Sequence, residues 1–403
     1  MSDTIDITSL ISRVFTSPFI TTYLPQALLV NYAASHTSSG SIARWTCFFA
    51  MVGLYLTQVY RHIYLNSPIS DTWVASACGG MGFWNCVTFF DRLIGRGWDY
   101  EHYYPKGKSP SGETQYKGSR KEFANEAIAS PRGVGTWWEV KGVPAEWSSK
   151  MSREWFCVSR GLMVVPFWIL YNMLVDTIYS EPYRQKSFHL GIHETWVREL
   201  EVRAMTTFNF FTRLYLAMNL FVLAGTIIGC LFDGDSFKTA KPLYGNIQDA
   251  YSLRRFWGSF WHQNLRSGLE GTSNFVVHRI LRLPHRGLVQ RYAKVFWSFA
   301  LSGLFHVAND LALCIPIRET GAMSFFLLQA CGFVLEDGVQ ALWRKFFGKP
   351  NMIFARVIGY SWTAIYLSIT AAQWIYPANR YLTKEGTYLT WSCIYPVFVD
   401  TRM

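Results

Sequence analysis

Two stretches of this chain hold residue types at spacings suited to chemistry, and both lie within 251–310. One reads SGLFHVAND over 302–310 and sits in the middle of an apolar, helix-length run. An ionisable histidine deep in such a run is costly to bury in lipid, so it marks a functional site by default. On a helix of about 3.6 residues per turn, Ser298, Ser302, His306, Asn309 and Asp310 form one polar face. His306 and Asp310 are four apart, so the carboxylate is placed to orient the imidazole and support it as a general base. The competing reading is a core histidine satisfied by its neighbours. The polar stripe around it favours the functional one.

The second stretch is RRFWGSFWHQNLR over 254–266. Read as one helix, it puts Arg255, Ser259, His262 and Arg266 on one side and Phe256, Trp257, Phe260, Trp261 and Leu265 on the rest. Such a helix lies at a membrane surface with its aromatics inserted. Its cationic face is then either a plain anchor or a receiver for an anionic ligand such as a nucleotide or pyrophosphate, which guanidinium groups suit. The next apolar run carries Gln329, Glu336, Asp337 and Gln340 on one face. Its adjacent acids are expected to pair with Arg255 or Arg266, or to face water.

The elements that must position these residues follow from composition. The 403 residues are 50% hydrophobic and 17% aromatic, with 16% charged; soluble domains average about 25% charged. Apolar runs at 18–34, 42–64, 72–94, 155–179, 206–232, 293–315, 321–342 and 352–375 approach the length that crosses a bilayer. The expected fold is all-α: a polytopic transmembrane bundle of about eight spans, with a cytosolic loop and amphipathic interfacial helices around a central tunnel. It is read as a single membrane-embedded domain over 1–403, with a cytosolic loop at 95–154 and a catalytic core segment at 251–345. The first ten residues carry two aspartates and no basic region, so the first run is expected to act as an uncleaved anchor.

The formal charge of +11 sits mostly in loops between apolar runs, the ordinary pattern of cytosolic membrane loops, and nucleic-acid binding is set aside. Loops 95–154, 233–292 and 344–349 are basic and alternate with mixed or short ones, which puts both ends of the bundle on the lumenal side. Most of the loop at 95–154 is too polar to be expected to bury a core of its own. Within it, SPRGVGTWWEVK at 130–141 reads as an interfacial turn with tryptophans at headgroup level, or else as a ligand-contacting loop. Eight cysteines, Cys47, Cys78, Cys86, Cys157, Cys230, Cys314, Cys331 and Cys393, form no CxxC pair, so neither a disulfide framework nor a metal site is expected. No internal repeat supports a repeat-built transporter.

The run at 256–262 resembles the acyl-CoA-site motif of membrane-bound O-acyltransferases, and SGLFH at 302–306 resembles their catalytic-histidine segment. The pattern FWG-x-FWHQ-x-x-R, then SGLFH, then a helix containing Glu336-Asp337 is most similar to the wax-synthase-like branch of fungal secondary-metabolite acetyltransferases. Residues 130–141 look like a loop of that branch, and elsewhere the likeness is topological. The resemblance implies transfer of an acyl group from a coenzyme A thioester to an alcohol, with His306 as base, supported by Asp310 and with His262 beside it. His262 departs from the asparagine that ends the motif in many members. Arg255, Trp257, Ser259, Trp261 and Arg266 would form the acyl-CoA site. The implied co-substrate is acetyl-CoA, with no permanently bound cofactor. The implied partners are a lipophilic hydroxylated terpenoid or meroterpenoid and the bilayer, with residence in the endoplasmic reticulum. Two other readings stay open: a wax- or sterol-ester synthase using long-chain acyl-CoA, and a proton-coupled transporter.

Overall fold

The computed structural model of the chain describes residues 19–64, 72–103, 115–145, 151–178, 195–232, 240–313 and 315–384. Among these residues every regular element is helical. The helices are α1 (Leu24–His36), α2 (Ile42–Tyr64), α3 (Thr72–Phe89), α4 (Arg120–Ala129), α5 (Arg153–Ile178), α6 (Trp196–Phe232), α7 (Arg266–Asn274), α8 (Leu288–Ala312), α9 (Ala322–Phe347) and α10 (Met352–Lys384), with short π-helical and 3-10 turns between some of them. Over the described residues, each apolar run read from the sequence is centred on one of these helices, and the run at 72–94 continues from α3 into the π-helical segment Phe90–Gly95. Among the described residues, five helices are long and apolar enough to cross a membrane, those at 42–61, 153–174, 196–232, 322–347 and 352–379. On α5 the large apolar residues Trp155, Val158, Leu162, Val165 and Ile169 recur every three or four positions and are all exposed. That outward stripe is what a helix facing hydrocarbon presents.

Helix α6 begins at Trp196, well before the apolar run at 206–232. Its polar first turns are held by neighbouring pairs, Arg198 to Glu201 at 2.8 Å and Arg203 to Glu199 at 2.5 Å. Ion pairs three or four apart sustain helix where hydrophobicity gives no signal.

The chain divides into two compact units, Met1–Pro131 with Arg266–Thr320, and Arg132–Leu265 with Gly321–Met403. In the first, the described residues 95–103 and 115–131 of the polar loop bury a small core, contrary to the expectation for most of that loop. Tyr103 packs on Phe123 at 5.2 Å, on Tyr116 at 5.4 Å and on Trp98 at 5.5 Å. Edge-to-face aromatics of this kind give a large buried area from few residues. Both tyrosine hydroxyls donate to Glu126 at 2.7 Å. Helix α4 starts with a capping box between Ser119 and Glu122, and Arg92 closes its other end by donating to the Ala127 and Ser130 carbonyls.

In the second unit, the turn at 132–140 is pinned rather than free. Arg132 donates to the Pro242 and Lys241 carbonyls at 2.5 and 3.1 Å, and Lys241 pairs with Glu139 at 2.9 Å. Although partial burial works against ionisation, the Lys241 ammonium and the Gly135 N–H hold the Glu139 carboxyl below its usual range. Trp138 is buried against Gly133, which has positive φ and no room for a Cβ. The expectation of a tryptophan at headgroup level therefore fails for Trp138, because its ring completes the turn's own packing.

Candidate active site

Helix α8 carries His306 within the first unit. The His306 Nδ1 lies 2.8 Å from the Ser302 carbonyl oxygen, one turn earlier. A carbonyl only accepts, so this bond places the proton on Nδ1 and leaves the Nε2 lone pair as the proton acceptor. The ring is half-buried and meets Phe305 edge-on at 5.0 Å, while Phe305 meets Trp84 of α3 edge-on at 5.8 Å. Trp84 also covers Gly268 on α7. The chain of contacts from α7 through Trp84 and Phe305 thus ends at the imidazole.

Glycine lets α3 approach α8 at this level. A Cβ at Gly80 would fall on the Asn309 side-chain oxygen, and one at Gly79 on Ala312 and the Ala308 carbonyl. The glycine pattern of the 72–94 run therefore marks a close helix–helix approach. Asp310 is buried, and the Thr320 hydroxyl donates to its Oδ2. The Asp310 backbone carbonyl accepts from the Leu313 and Ile315 amides at 3.1 and 3.0 Å, closing the helix. Of the polar stripe, the structure thus joins His306 to the Ser302 carbonyl and Asp310 to Thr320.

Arg266 also falls in this unit, at the start of α7, where it pairs with Glu270 at 2.6 Å. Beneath it, buried Asp91 pairs with Arg96 at 2.9 Å, and Arg96 donates to the Ser267 carbonyl at 2.8 Å. This clamp on α7 was missed in the sequence because Asp91, Arg92 and Arg96 stand at the end of an apolar run with no motif around them.

His262, Arg255, Trp257, Ser259 and Trp261 belong to the second unit, and they do not form the single amphipathic helix expected. Leu253–Arg255 is one helical turn, Phe256–Phe260 is π-helical, and Trp261 is extended with ψ of 150°. The wider turn and the break at Trp261 abolish the face arithmetic for 255–266. The aromatics point into the unit rather than into lipid. Phe211 of α6 meets Trp261 at 5.1 Å, Phe256 at 5.9 Å and Trp257 at 6.3 Å. The Trp257 indole N–H donates to Gln329 at 3.3 Å, and the Gln329 amide donates to Thr370 at 3.0 Å. Gln263 donates to the Trp257 carbonyl at 3.1 Å and also to that of Trp261. Gly245 donates to the Phe260 carbonyl at 2.8 Å, at a contact too close for any side chain. The His262 ring lies edge-on to Tyr244 at 5.8 Å, and Ser259 is half-buried in the π-turn.

The acids of α9 do pair, but not with the arginines expected. Asp337 binds Arg254 at 2.7 Å, and Glu336 accepts the Leu253 backbone N–H at 2.7 Å. Arg255 binds Asp249 at 2.6 Å in a half-exposed pair. Within the helical turn Leu253–Arg255, Arg254 rather than Arg255 faces α9.

Residues 240–328 match the sequence model of the membrane bound O-acyl transferase family, a segment that contains both motif stretches. The acetyltransferase spyB of Aspergillus fumigatus is 30% identical over 67% of this chain and 49% of that protein. The acetyltransferase atnC of an Arthrinium species is 29% identical over 65% of this chain and 63% of its own. The acetyltransferase ataH of Aspergillus terreus reaches 43% identity over 35% of this chain and 46% of its own. The chain thus spans from about half to just under two thirds of the length of these three relatives. The likeness read from the motifs is shown over the segment that carries them.

Proposed function

We propose that this relative of the membrane-bound O-acyltransferases transfers an acetyl group from acetyl-CoA to a hydroxyl of a lipophilic terpenoid or meroterpenoid. The observation that carries the proposal is the His306 side chain, whose Nδ1 is engaged by the Ser302 carbonyl so that Nε2 is left as a base. It lies inside the matched segment 240–328. The His306 Nε2 takes the acceptor's hydroxyl proton as the oxygen forms a bond to the thioester carbonyl carbon. The tetrahedral intermediate then collapses, the carbon–sulfur bond breaks, and the thiolate leaves as coenzyme A after taking a proton back from the imidazolium. No covalent enzyme intermediate is required.

Arg255 is a candidate to receive a phosphate of the donor by exchanging Asp249, and Arg266 is separately a candidate by exchanging Glu270, as the partial exposure of each pair permits. Trp257 and Trp261 shape the segment from within, and His262 and Ser259 stand on it as candidates to position the thioester. Asp310 holds the end of the catalytic helix. The full reading takes 1–403 as one membrane-embedded domain of eight spans, in the endoplasmic reticulum, with a tunnel where a cytosolic donor meets a bilayer-borne acceptor. The acetyltransferase names of the relatives support the choice of acetyl over longer acyl groups.

The test is to incubate membranes holding the protein, or His306→Ala at equal level, with labelled acetyl-CoA and a panel of hydroxylated terpenoids. Label is expected on a terpenoid with the wild type, and the variant is expected to lose about a hundredfold to ten-thousandfold of the rate. Equal rates would remove His306 from the mechanism in favour of His262. Consumption of long-chain acyl-CoA alone would make the protein a wax- or sterol-ester synthase. Consumption of no thioester would leave a proton-coupled carrier.

A further inference from the structure

The strongest unassigned feature is a cationic and apolar turn that leads into α8. From Gly271 to Asn309 the chain has no acidic residue, yet it carries Arg279, Arg282, Arg286, Arg291 and Lys294. The turn is a built structure. It leaves the π-helical segment Phe275–Ile280, and the Leu281 and Leu283 amides donate back to the Val276 and Val277 carbonyls at 2.9 and 3.0 Å. The His278 Nδ1 lies 3.0 Å from the Leu283 carbonyl, and the His278 ring stacks on His285 at 4.0 Å. Arg282, at the tip, has a φ of 52°, a left-handed conformation that a non-glycine residue adopts at some cost. The chain accepts that strain while directing cations outward.

Arg279, Arg282, Arg286 and Arg291 are all exposed. Among the described residues no carboxylate lies within ion-pair distance of Arg279, Arg282 or Arg286, in contrast to Arg254, Arg255 and Arg266, each of which has one. Between them stand aliphatic side chains that the fold leaves open: Ile280 at 60% exposed, Leu281 at 54%, Leu288 at 66% and Val289 at 70%. We propose that the turn over 279–289 is a docking surface for anionic lipid headgroups, its arginines binding headgroup phosphate and carboxylate while its aliphatics enter the acyl boundary. A nucleotide would match the arginines and leave four exposed aliphatics unexplained. A negatively charged bilayer surface meets both classes at once. The turn immediately precedes α8, so a lipid held there fixes the entrance to the helix that carries His306. The proposal does not depend on the chemistry assigned to His306, and its test does not use activity.

Binding of fluorescent phosphatidylserine and of fluorescent phosphatidylcholine to the purified full chain in a non-ionic detergent would be measured side by side. The wild type is expected to prefer phosphatidylserine. The triple variant Arg279→Gln, Arg282→Gln, Arg286→Gln is expected to bind it on the order of a hundredfold more weakly, from the typical contribution of each basic residue near an anionic surface. The corresponding triple lysine variant, which keeps the charge, is expected to retain most of the preference and controls for misfolding. Equal binding of both lipids by the wild type would overturn the proposal, as would a phosphatidylserine preference that survives in the glutamine variant. Displacement of the lipid by low concentrations of free adenosine 3′,5′-bisphosphate would overturn it in favour of a nucleotide site.

Discussion

At the scale of single residues, the imidazole of His306 is defined by a backbone atom. Its Nδ1 partner is the carbonyl of Ser302, not the hydroxyl. Ser302→Ala is therefore expected to preserve the Nδ1–H tautomer and keep the acetyl-transfer rate within about threefold, against the loss of about a hundredfold or more for His306→Ala. A rate assay at matched protein levels separates the two, and a collapse in Ser302→Ala would mean that the hydroxyl itself handles the proton. The importance of His306 was legible in the sequence, since a histidine in a polar stripe of an apolar run has few cheap alternatives. Its tautomer was not legible, because a backbone carbonyl carries no sequence signal. The pairing of Arg254 rather than Arg255 with Asp337 was hidden for a related reason. Residues adjacent in sequence point in different directions from a helical turn, and the direction in which the turn Leu253–Arg255 faces is set by its backbone.

At the scale of elements, hydropathy located the helices well, and polar pairing explains where it cut α6 short. What hydropathy could not show was contact distance. Gly79 and Gly80 let α3 meet α8 at the level of Ala308, Asn309 and Ala312. Gly80→Ala is expected to cost about 1–3 kcal/mol through overpacking, read as a lower unfolding temperature in detergent. Gly161 on α5 has open space around it, so Gly161→Ala is expected to be neutral or to raise stability by about 0.4–1 kcal/mol through reduced chain entropy. A similar response from both variants would mean that the α3–α8 approach is not tight in solution. The aromatic core around Tyr103 and Phe123 was missed because its residues come from 98, 103, 116 and 123 with no helical or strand period.

At the scale of the whole molecule, the segment 251–345, read from the sequence as one catalytic core, contributes to both compact units. Residues 266–320 belong to one unit, and the stretches on either side belong to the other. Nothing in composition changes at 265 or 321, so hydropathy and motif spacing are blind to that division. The sidedness of the loops, by contrast, is a charge argument, and it rests on the proposed count of eight spans. Basic residues concentrate in 95–154, 233–292 and 344–349, and moving them across a bilayer is unfavourable. Given the proposed eight spans, alternation would hold all three loops in the cytosol and leave 180–205 and 316–320 in the lumen. The chain has no Asn-X-Ser/Thr glycosylation acceptor of its own, so acceptors introduced one at a time report on a clean background. Glycan is expected on an acceptor inserted within 186–190 and on none inserted within 141–145 or 284–287. Glycan at 141–145 and 284–287 with none at 186–190 would invert the bundle and put the donor's loops in the lumen. Glycan at 284–287 but not at 141–145 would require an odd number of crossings between them, and the eight-span count would fall.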